Sequence, residues 1–395
     1  MAKYDVIVIG TGGVGSAAMY QLSRRGNSVL GLDRHPPGHD QGSSHGQTRV
    51  IRQAYFEHPD YVPLLRTVYG QWAELERESK RQLYFPVGLL EVGPADGVVV
   101  PGVLESKREH DLAVDELTAD EAQKLFPQFY IPPNCAAVFE REAGYLLVEK
   151  SVETMIELAI AAGSVHRHGE EVKSWRATAT AVVVETDRDT YEAASLVISA
   201  GAWANRLLAE LNIPFCICRK HLHWFESQPS HSANASPNQT QPAYLFEVDS
   251  GIYYGFPVSD GSMKVGEHTR GTEIKDPQDD DRSPEQDDIQ RVTKFVEQHL
   301  HQVSSKRTDH SVCFYTKSPD CHFIVDRHPL HDNVAIVAGL SGHGYKFTPV
   351  LGQIVADLLS KGATELPIQF LSLNRFCRDN DGTSQTRFPV DECEI

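Results

Sequence analysis

The feature that most constrains this chain lies at its N-terminal end. Residues 4–9, Tyr-Asp-Val-Ile-Val-Ile, lead into Gly10-x-Gly12-x-x-Gly15. The apolar run has the pattern of a strand buried on both faces. A helical pattern follows from about Val14 to Arg25, and Gly26 is a natural stop. A second apolar strand, residues 28–32, ends at Asp33, so the segment reads as a βαβ unit. Gly10 permits the tight turn, Gly12 lets backbone approach a pyrophosphate, and Gly15 lets helix and strand pack closely. The free N–H groups at the helix start favour phosphate. Asp33 is placed to accept bonds from a ribose hydroxyl pair, and its charge disfavours a 2′-phosphate. The unit therefore predicts FAD or NAD, without choosing between them.

Two later passages repeat the strand–glycine–helix pattern. One is Leu196 to Gly201, with a helical stretch through Leu207, Leu208 and Leu211. The other is Val334 to Gly339, with a helix from about Pro349 to Leu359, for which Thr348 is the expected N-cap. They imply a nucleotide-binding domain assembled from separated parts of the chain. Strand-rich segments at 85–93, 180–186, 252–257 and 262–268 are expected to build a second sheet. The predicted class is α/β (α+β overall): a Rossmann-type dinucleotide-binding domain with a parallel sheet, and a substrate domain with a mostly antiparallel sheet flanked by helices. The expected boundaries are 1–84, 145–215 and 320–380 for the first domain and 85–144 and 216–319 for the second, with a polar tail over 381–395. Residues 228–242 read as an exposed loop. Ser283 and Pro284 read as the N-cap and first residue of a helix after an acidic stretch.

With a net charge of -17, the chain is a poor partner for nucleic acid. No apolar run approaches the ~20 residues needed to cross a bilayer, and nothing at the start resembles a secretory leader. A cytoplasmic location is expected. The seven cysteines are odd in number and irregularly spaced, which predicts mostly reduced thiols rather than a disulfide framework. Cys216-x-Cys218 has no second pair nearby, so no metal site is expected.

Two segments carry the chemistry. The first is Gly42-Ser43-Ser44-His45-Gly46-Gln47-Thr48-Arg49-Val50-Ile51-Arg52, which concentrates cations in an acidic chain. The second runs from Cys313-Phe314-Tyr315-Thr316 into Gly339-Leu340-Ser341-Gly342-His343-Gly344-Tyr345-Lys346-Phe347. At these residues the chain resembles the monomeric sarcosine oxidase and N-methyltryptophan oxidase family, and the resemblance runs from Tyr4 to about Phe376.

The resemblance implies one FAD, attached through an 8α thioether to Cys313, with Arg49 and His45 beside the ring. It implies further cofactor contacts at Gly10, Gly12, Gly13, Val14, Gly15, Asp33, Arg34, Ser43, Ser44, Thr48, Val172, Gly201, Trp203, Gly339, Gly342, His343, Gly344 and Lys346. Arg52 and Lys346 are similar to the residues that clamp a substrate carboxylate, for which a guanidinium and an ammonium suit. Lys264 is similar to the lysine that activates oxygen, a fixed cation stabilising the charge that forms on reduction of O₂. Tyr254, His268, Tyr315, Gly344 and Leu245 are expected to line the substrate pocket. Alternation along 263–268 puts Lys264, Gly266 and His268 on one strand face.

The implied reaction is oxidative demethylation of a small N-methyl amino acid such as sarcosine, giving glycine, formaldehyde and hydrogen peroxide. Rivals that share these motifs are N-methyltryptophan, cyclic imino acid and fructosyl amino acid oxidases. A flavin subunit that passes electrons to a partner protein is a different class, and Lys264 argues against it. The expected partners are a small-molecule substrate and O₂, and the expected state is a monomer.

Overall fold

The computed structural model describes residues 3–228 and 241–376. The predicted loop at 228–242 and the tail at 381–395 therefore fall largely or wholly outside the described residues.

The apolar run forms the strand Lys3–Ile9, and the helix Gly13–Arg24 follows it. Gly10 has φ +81, a conformation that L side chains resist. A Cβ on Gly15 would lie 1.8 Å from the Gly10 carbonyl oxygen, so only glycine lets the helix sit this close to the strand. Lys3–Ile9 is flanked in parallel by Val29–Leu32 and by Thr190–Ile198. His331–Ala338 pairs in parallel with Thr190–Ile198, and Val165–Arg167 with Val29–Leu32. The remaining strands of this eight-stranded sheet are antiparallel. The helices Gly13–Arg24 and Thr348–Lys361 pack together on one face, with Met19, Val350 and Ile354 in the core between them.

The second sheet has nine strands. All its pairs are antiparallel except Ala243–Val248 beside Leu89–Pro94. Its longest pair, Cys216–Ser227 with Val303–Lys317, lies at one end of the sheet. Helix Gln286–His299 covers one face through Val292, Phe295 and Val296, which meet Met263 and Val265. A three-stranded sheet of Thr48–Ile51, Gly144–Leu147 and Tyr84–Phe85 completes the fold.

Four local expectations need correction. Val182–Thr186 pairs with Thr190–Ile198 in the first sheet, not the second, because that strand's hairpin partner extends the parallel sheet. The passage after Gly201 is no continuous helix: it breaks into short turns over Gly201–Trp203, Ala204–Leu207 and Ala209–Leu211, ended by Asn212 at φ +51. The helix after the acidic stretch begins at Gln286 with Glu285 as N-cap, so Ser283 and Pro284 precede it. Thr348 is the first residue of its helix rather than the cap, which is Phe347, because a 3₁₀ turn over Tyr345–Phe347 already leads in. Among the described cysteines Cys135, Cys216, Cys218 and Cys313 are free thiols, whereas Cys321 is disulfide-bonded.

Candidate active site

A cavity of about 500 Å³ opens between the two sheets. Gly10, Gly12, Gly13, Val14, Asp33 and Arg34 wall one end, and Arg49, Phe314, Tyr315, Thr316 and Gly342 wall the other. Ser43, Ser44, Val172, Gly201, Trp203, Gly339 and Gly344 also border it.

The glycine turn is held ready for a polar guest. Asp33 accepts a bond from the Thr11 backbone N–H at 2.7 Å and another from the His35 N–H at 2.9 Å. Ser44 Oγ accepts from the Gly13 N–H at 3.0 Å. A Cβ on Gly12 would meet nothing nearer than Ser44 Oγ at 3.4 Å, so the backbone there is bare on the cavity side. Gly15 does not border the cavity; its role is the helix–strand contact above.

The loop that follows is held by charged side chains, one its own and two from distant segments. Glu149 accepts from the Gly46 N–H at 2.6 Å and the Gln47 N–H at 3.0 Å. Arg49 donates to the carbonyls of Thr48 and Ser43, each at 2.9 Å. Lys264 donates to the carbonyls of Gly46 at 2.6 Å and Thr48 at 2.7 Å. Burial, followed by the nearby Arg49 charge, pushes Lys264 well below the usual lysine range. Its strand, Ser262–Glu267, sends Met263 and Val265 into the apolar cluster on the opposite face, as alternation predicts.

Cys313 is 1% exposed and sits directly across the ladder from Lys220. Arg49, Lys264, Lys220 and Arg282 all interact electrostatically with its thiol. His45 is different: burial, then Arg49, takes it down to about 3, so its imidazole is neutral. The cationic surroundings of Cys313 therefore come from Arg49 and the lysines, not from His45. His45 Nε2 is buried without a hydrogen-bond partner among the described residues.

A second cluster forms round Tyr55. The Arg52 guanidinium lies 5.0 Å and the Lys346 ammonium 4.8 Å from its ring centre. Arg52 donates to Glu57 at 2.6 Å and to Glu91 at 2.8 Å. Burial is the largest single influence and opposes the charge on Glu57, but Arg52, His343, Lys346 and His268 together outweigh it and hold the carboxyl down to about 2. Glu91 shares the same Arg52 yet is pushed up to about 8, because burial and the neighbouring Glu140 and Glu57 outweigh one guanidinium. Lys346 donates to the His343 carbonyl at 2.7 Å, and burial, then Arg52, lowers it to about 7. His343 accepts from the Tyr55 hydroxyl at 2.5 Å while its other nitrogen meets the Cys321 carbonyl at 3.1 Å, and burial keeps it neutral.

His268 is likewise neutral through burial, down to about 3, and meets the Tyr315 hydroxyl at 3.3 Å. Tyr254 stands opposite Gly266, where a Cβ would strike its ring at 2.8 Å. Leu245, 5% exposed, packs in the main core cluster with Ile51 and Tyr55. Of the expected site residues, Gly15, Thr48, Cys313, His45, Lys264, Arg52, His268, Tyr254, Leu245, His343 and Lys346 do not border the 500 Å³ cavity, whereas Arg49, Tyr315 and Gly344 do.

Sequence reasoning missed Glu57, Glu91, Lys220, Arg282 and Tyr55. Two left a signal: Glu91 interrupts the apolar run Leu89-Leu90-Glu91-Val92, and Lys220 lies in a long strand pattern. A charge in such a setting must be paired or bonded. Glu57 and Tyr55 left none.

The residues present fit FAD. The glycine cradle is open to the cavity, Asp33 stands at the strand end, and the opposite end is cationic. Trp203 Nε1, Thr316 Oγ1 and Thr348 Oγ1, from residues bordering the cavity, are buried without partners among the described residues. A nucleotide-binding sheet, an antiparallel sheet bearing buried cations and a cavity between them define an FAD-dependent oxidoreductase.

Comparison with known proteins narrows the class. Residues 5–358 match the FAD dependent oxidoreductase family. The chain is 39% identical to the monomeric sarcosine oxidase of Streptomyces avermitilis over 370 residues, 92% of this chain and 96% of that protein. It is 36% identical to the N-methyl-L-tryptophan oxidase of Citrobacter koseri over 378 residues, 95% and 99% of the two chains. The solved structure of NikD, an unusual amino acid oxidase essential for nikkomycin biosynthesis, shares the fold with a TM-score of 0.83 at 24% identity, covering 94% of this chain and 98% of that one. The chain belongs to the FAD dependent oxidoreductase family and, within it, to the monomeric sarcosine oxidase and N-methyltryptophan oxidase group. It is a flavin-dependent amine oxidase that acts on CH–NH bonds with O₂ as acceptor. No helix among the described residues is long and apolar enough to cross a membrane.

Proposed function

We propose that this enzyme oxidises the N-methyl group of a small N-methyl amino acid, sarcosine in the first instance, and that its FAD is carried covalently on Cys313. The observation that carries this reading is the set of buried cations. Lys264 and Lys346 are each held by backbone carbonyls and a hydroxyl, Thr48 Oγ1 at 3.3 Å and the Tyr55 hydroxyl at 3.4 Å, not by carboxylates. Their charge is thus left to act on whatever else enters.

Bound FAD would supply the redox chemistry, an electron sink between the substrate and oxygen. The protein's part is placement and charge. Arg52 and Lys346, gathered at Tyr55, take the substrate carboxylate, with Arg52 exchanging Glu57 or Glu91 for it. A desolvated pocket with cations nearby disfavours the ammonium form of the substrate, so the amine is held neutral for oxidation. His268, kept neutral by burial, positions Tyr315 rather than taking a proton. Lys264 offers positive charge where oxygen is reduced. Arg49, Lys220 and Lys264 surround the Cys313 sulfur, to which the flavin would be attached, with positive charge. The name of the sarcosine oxidase relatives supports a monomer, and we take the enzyme to act in the cytoplasm.

N-methyl-L-tryptophan is the second reading, favoured by 36% identity to an oxidase of that name. A panel of sarcosine, N-methyl-L-tryptophan, a cyclic imino acid and a fructosyl amino acid, read by peroxide release, decides between them. Sarcosine turnover far above the rest is expected, and its absence overturns the reading. Acid precipitation should leave yellow colour in the pellet of wild type but not of Cys313→Ser. Flavin lost from wild type to the supernatant overturns covalent attachment.

A further inference from the structure

The strand Cys216–Ser227 carries two thiols that the reaction does not use. Cys216 and Cys218 alternate onto the same face, and their sulfur atoms lie 3.4 Å apart. Both are free, Cys216 half-buried and Cys218 buried. Across the ladder Cys218 faces Tyr315 and Cys216 faces Lys317, so the pair adjoins the strand that bears Cys313.

We propose that Cys216 and Cys218 form a peroxide-responsive dithiol, oxidised to a disulfide by the hydrogen peroxide that the enzyme itself releases. The inference rests on O₂ being the electron acceptor, since that is what supplies the peroxide. The Cys218 thiolate attacks one peroxide oxygen; the O–O bond breaks, hydroxide leaves, and a sulfenic acid forms. The Cys216 sulfur then attacks the Cys218 sulfur; the S–O bond breaks and water leaves with the Cys216 proton. Two thiols give up two electrons, and one peroxide becomes two waters.

Three features support this order. The hydrogen bond shared with Cys216 lowers the Cys218 thiol; burial opposes it, and the Lys317 and Lys220 charges add to the lowering. Cys216 is raised, first by that same bond, so it waits as the resolving thiol. A thiol near neutrality is the better nucleophile at ordinary pH. In addition, residues two apart on a strand have Cα atoms ~6.6 Å apart, near the upper limit for a disulfide. The bridge is therefore strained and easily reduced, as a reversible switch requires. Its closure pulls on the strand opposite Tyr315, a wall of the cavity.

Trypsin isolates both thiols, and no other cysteine, in the peptide 207–219. The holoenzyme is treated with hydrogen peroxide, alkylated with iodoacetamide, digested and weighed. The expected peptide is two hydrogens lighter than its dithiol form and carries no alkyl groups; dithiothreitol restores two. In Cys216→Ser the reaction should stop at a dimedone-reactive sulfenic acid. Full alkylation of both thiols after peroxide, or a gain of two or three oxygens without any bridged form, overturns the proposal. The same peptide is then followed during amine turnover with and without catalase. Bridging by added peroxide but not during peroxide-releasing turnover overturns the self-supplied step. An enzyme that bridges with added peroxide yet releases none leaves the dithiol standing and sinks the oxidase reading instead.

Discussion

The two halves of this molecule manage positive charge in opposite ways. Round the glycine turn the attraction for an anion comes from backbone N–H groups, and nearby ionic side chains are neutralised at the rim, as where Arg34 meets Glu171. In the antiparallel half, and at the Tyr345–Phe347 turn, it comes from Lys220, Lys264 and Lys346, buried to 3–5% exposure. Lys220 donates to the carbonyls of His268, Thr269 and Arg270, Lys264 to those of Gly46 and Thr48, and Lys346 to that of His343. Arg52, by contrast, is met by the carboxylates of Glu57 and Glu91. A carbonyl satisfies a donor's geometry but leaves its net charge in place. The first half thus binds by fixed dipoles, and the second keeps unneutralised charge for chemistry.

The sharpest break of that contrast is removal of one buried charge. Lys264→Met is expected to slow flavin reoxidation by oxygen ~10²–10³-fold while changing reduction by substrate less than tenfold; stopped-flow absorbance separates the two, and equal slowing contradicts the assignment. Breaking the other half needs no charge change. Gly15→Ala forces a methyl against the Gly10 carbonyl, which backbone cannot yield cheaply; about 3 kcal/mol or more of stability and most of the bound flavin should go, read by thermal unfolding and flavin content.

A finer test concerns Lys346. Its free pKa of about 7 means that a bound carboxylate must raise it. Binding of acetate should therefore be strongest below pH 7 and weaken as pH rises above it, and Lys346→Gln should weaken binding ~10-fold or more and abolish that slope. Glu91 bears on the same cluster through stability. Its folded pKa of about 8 lies above its ordinary value of 4.5. Stability from its protonated form is complete at low pH and lost as pH rises towards 8, and Glu91→Gln should flatten that part of the curve in denaturant titrations. The smallest effect is expected at Asp33→Asn: the amide can still accept from the Thr11 N–H, so FAD should bind less than about tenfold more weakly, measurable on the Cys313→Ser background by equilibrium dialysis.

The glycine spacing, the apolar run before it and Asp33 declared the nucleotide-binding unit in advance, because those residues act on their neighbours in sequence. The alternation at Met263 and Val265 likewise placed Lys264 correctly. Helix starts were less legible. Ser283-Pro284 has good capping chemistry, yet the chain bends on for two more residues before winding, and the 3₁₀ turn at Tyr345–Phe347 made the cap at Thr348 unnecessary.

The sequence by itself determined the dinucleotide cradle, the two-sheet plan and the identity of the cations, since periodicity, glycine placement and residue type are local properties. Only the tertiary structure decided which groups hold those cations. Whether Arg52 meets Glu91 as well as nearby Glu57, or Lys264 two carbonyls, depends on chain segments far apart in sequence. The charge that remains in the site is set by those long-range contacts and by burial, neither of which a single strand or helix can specify.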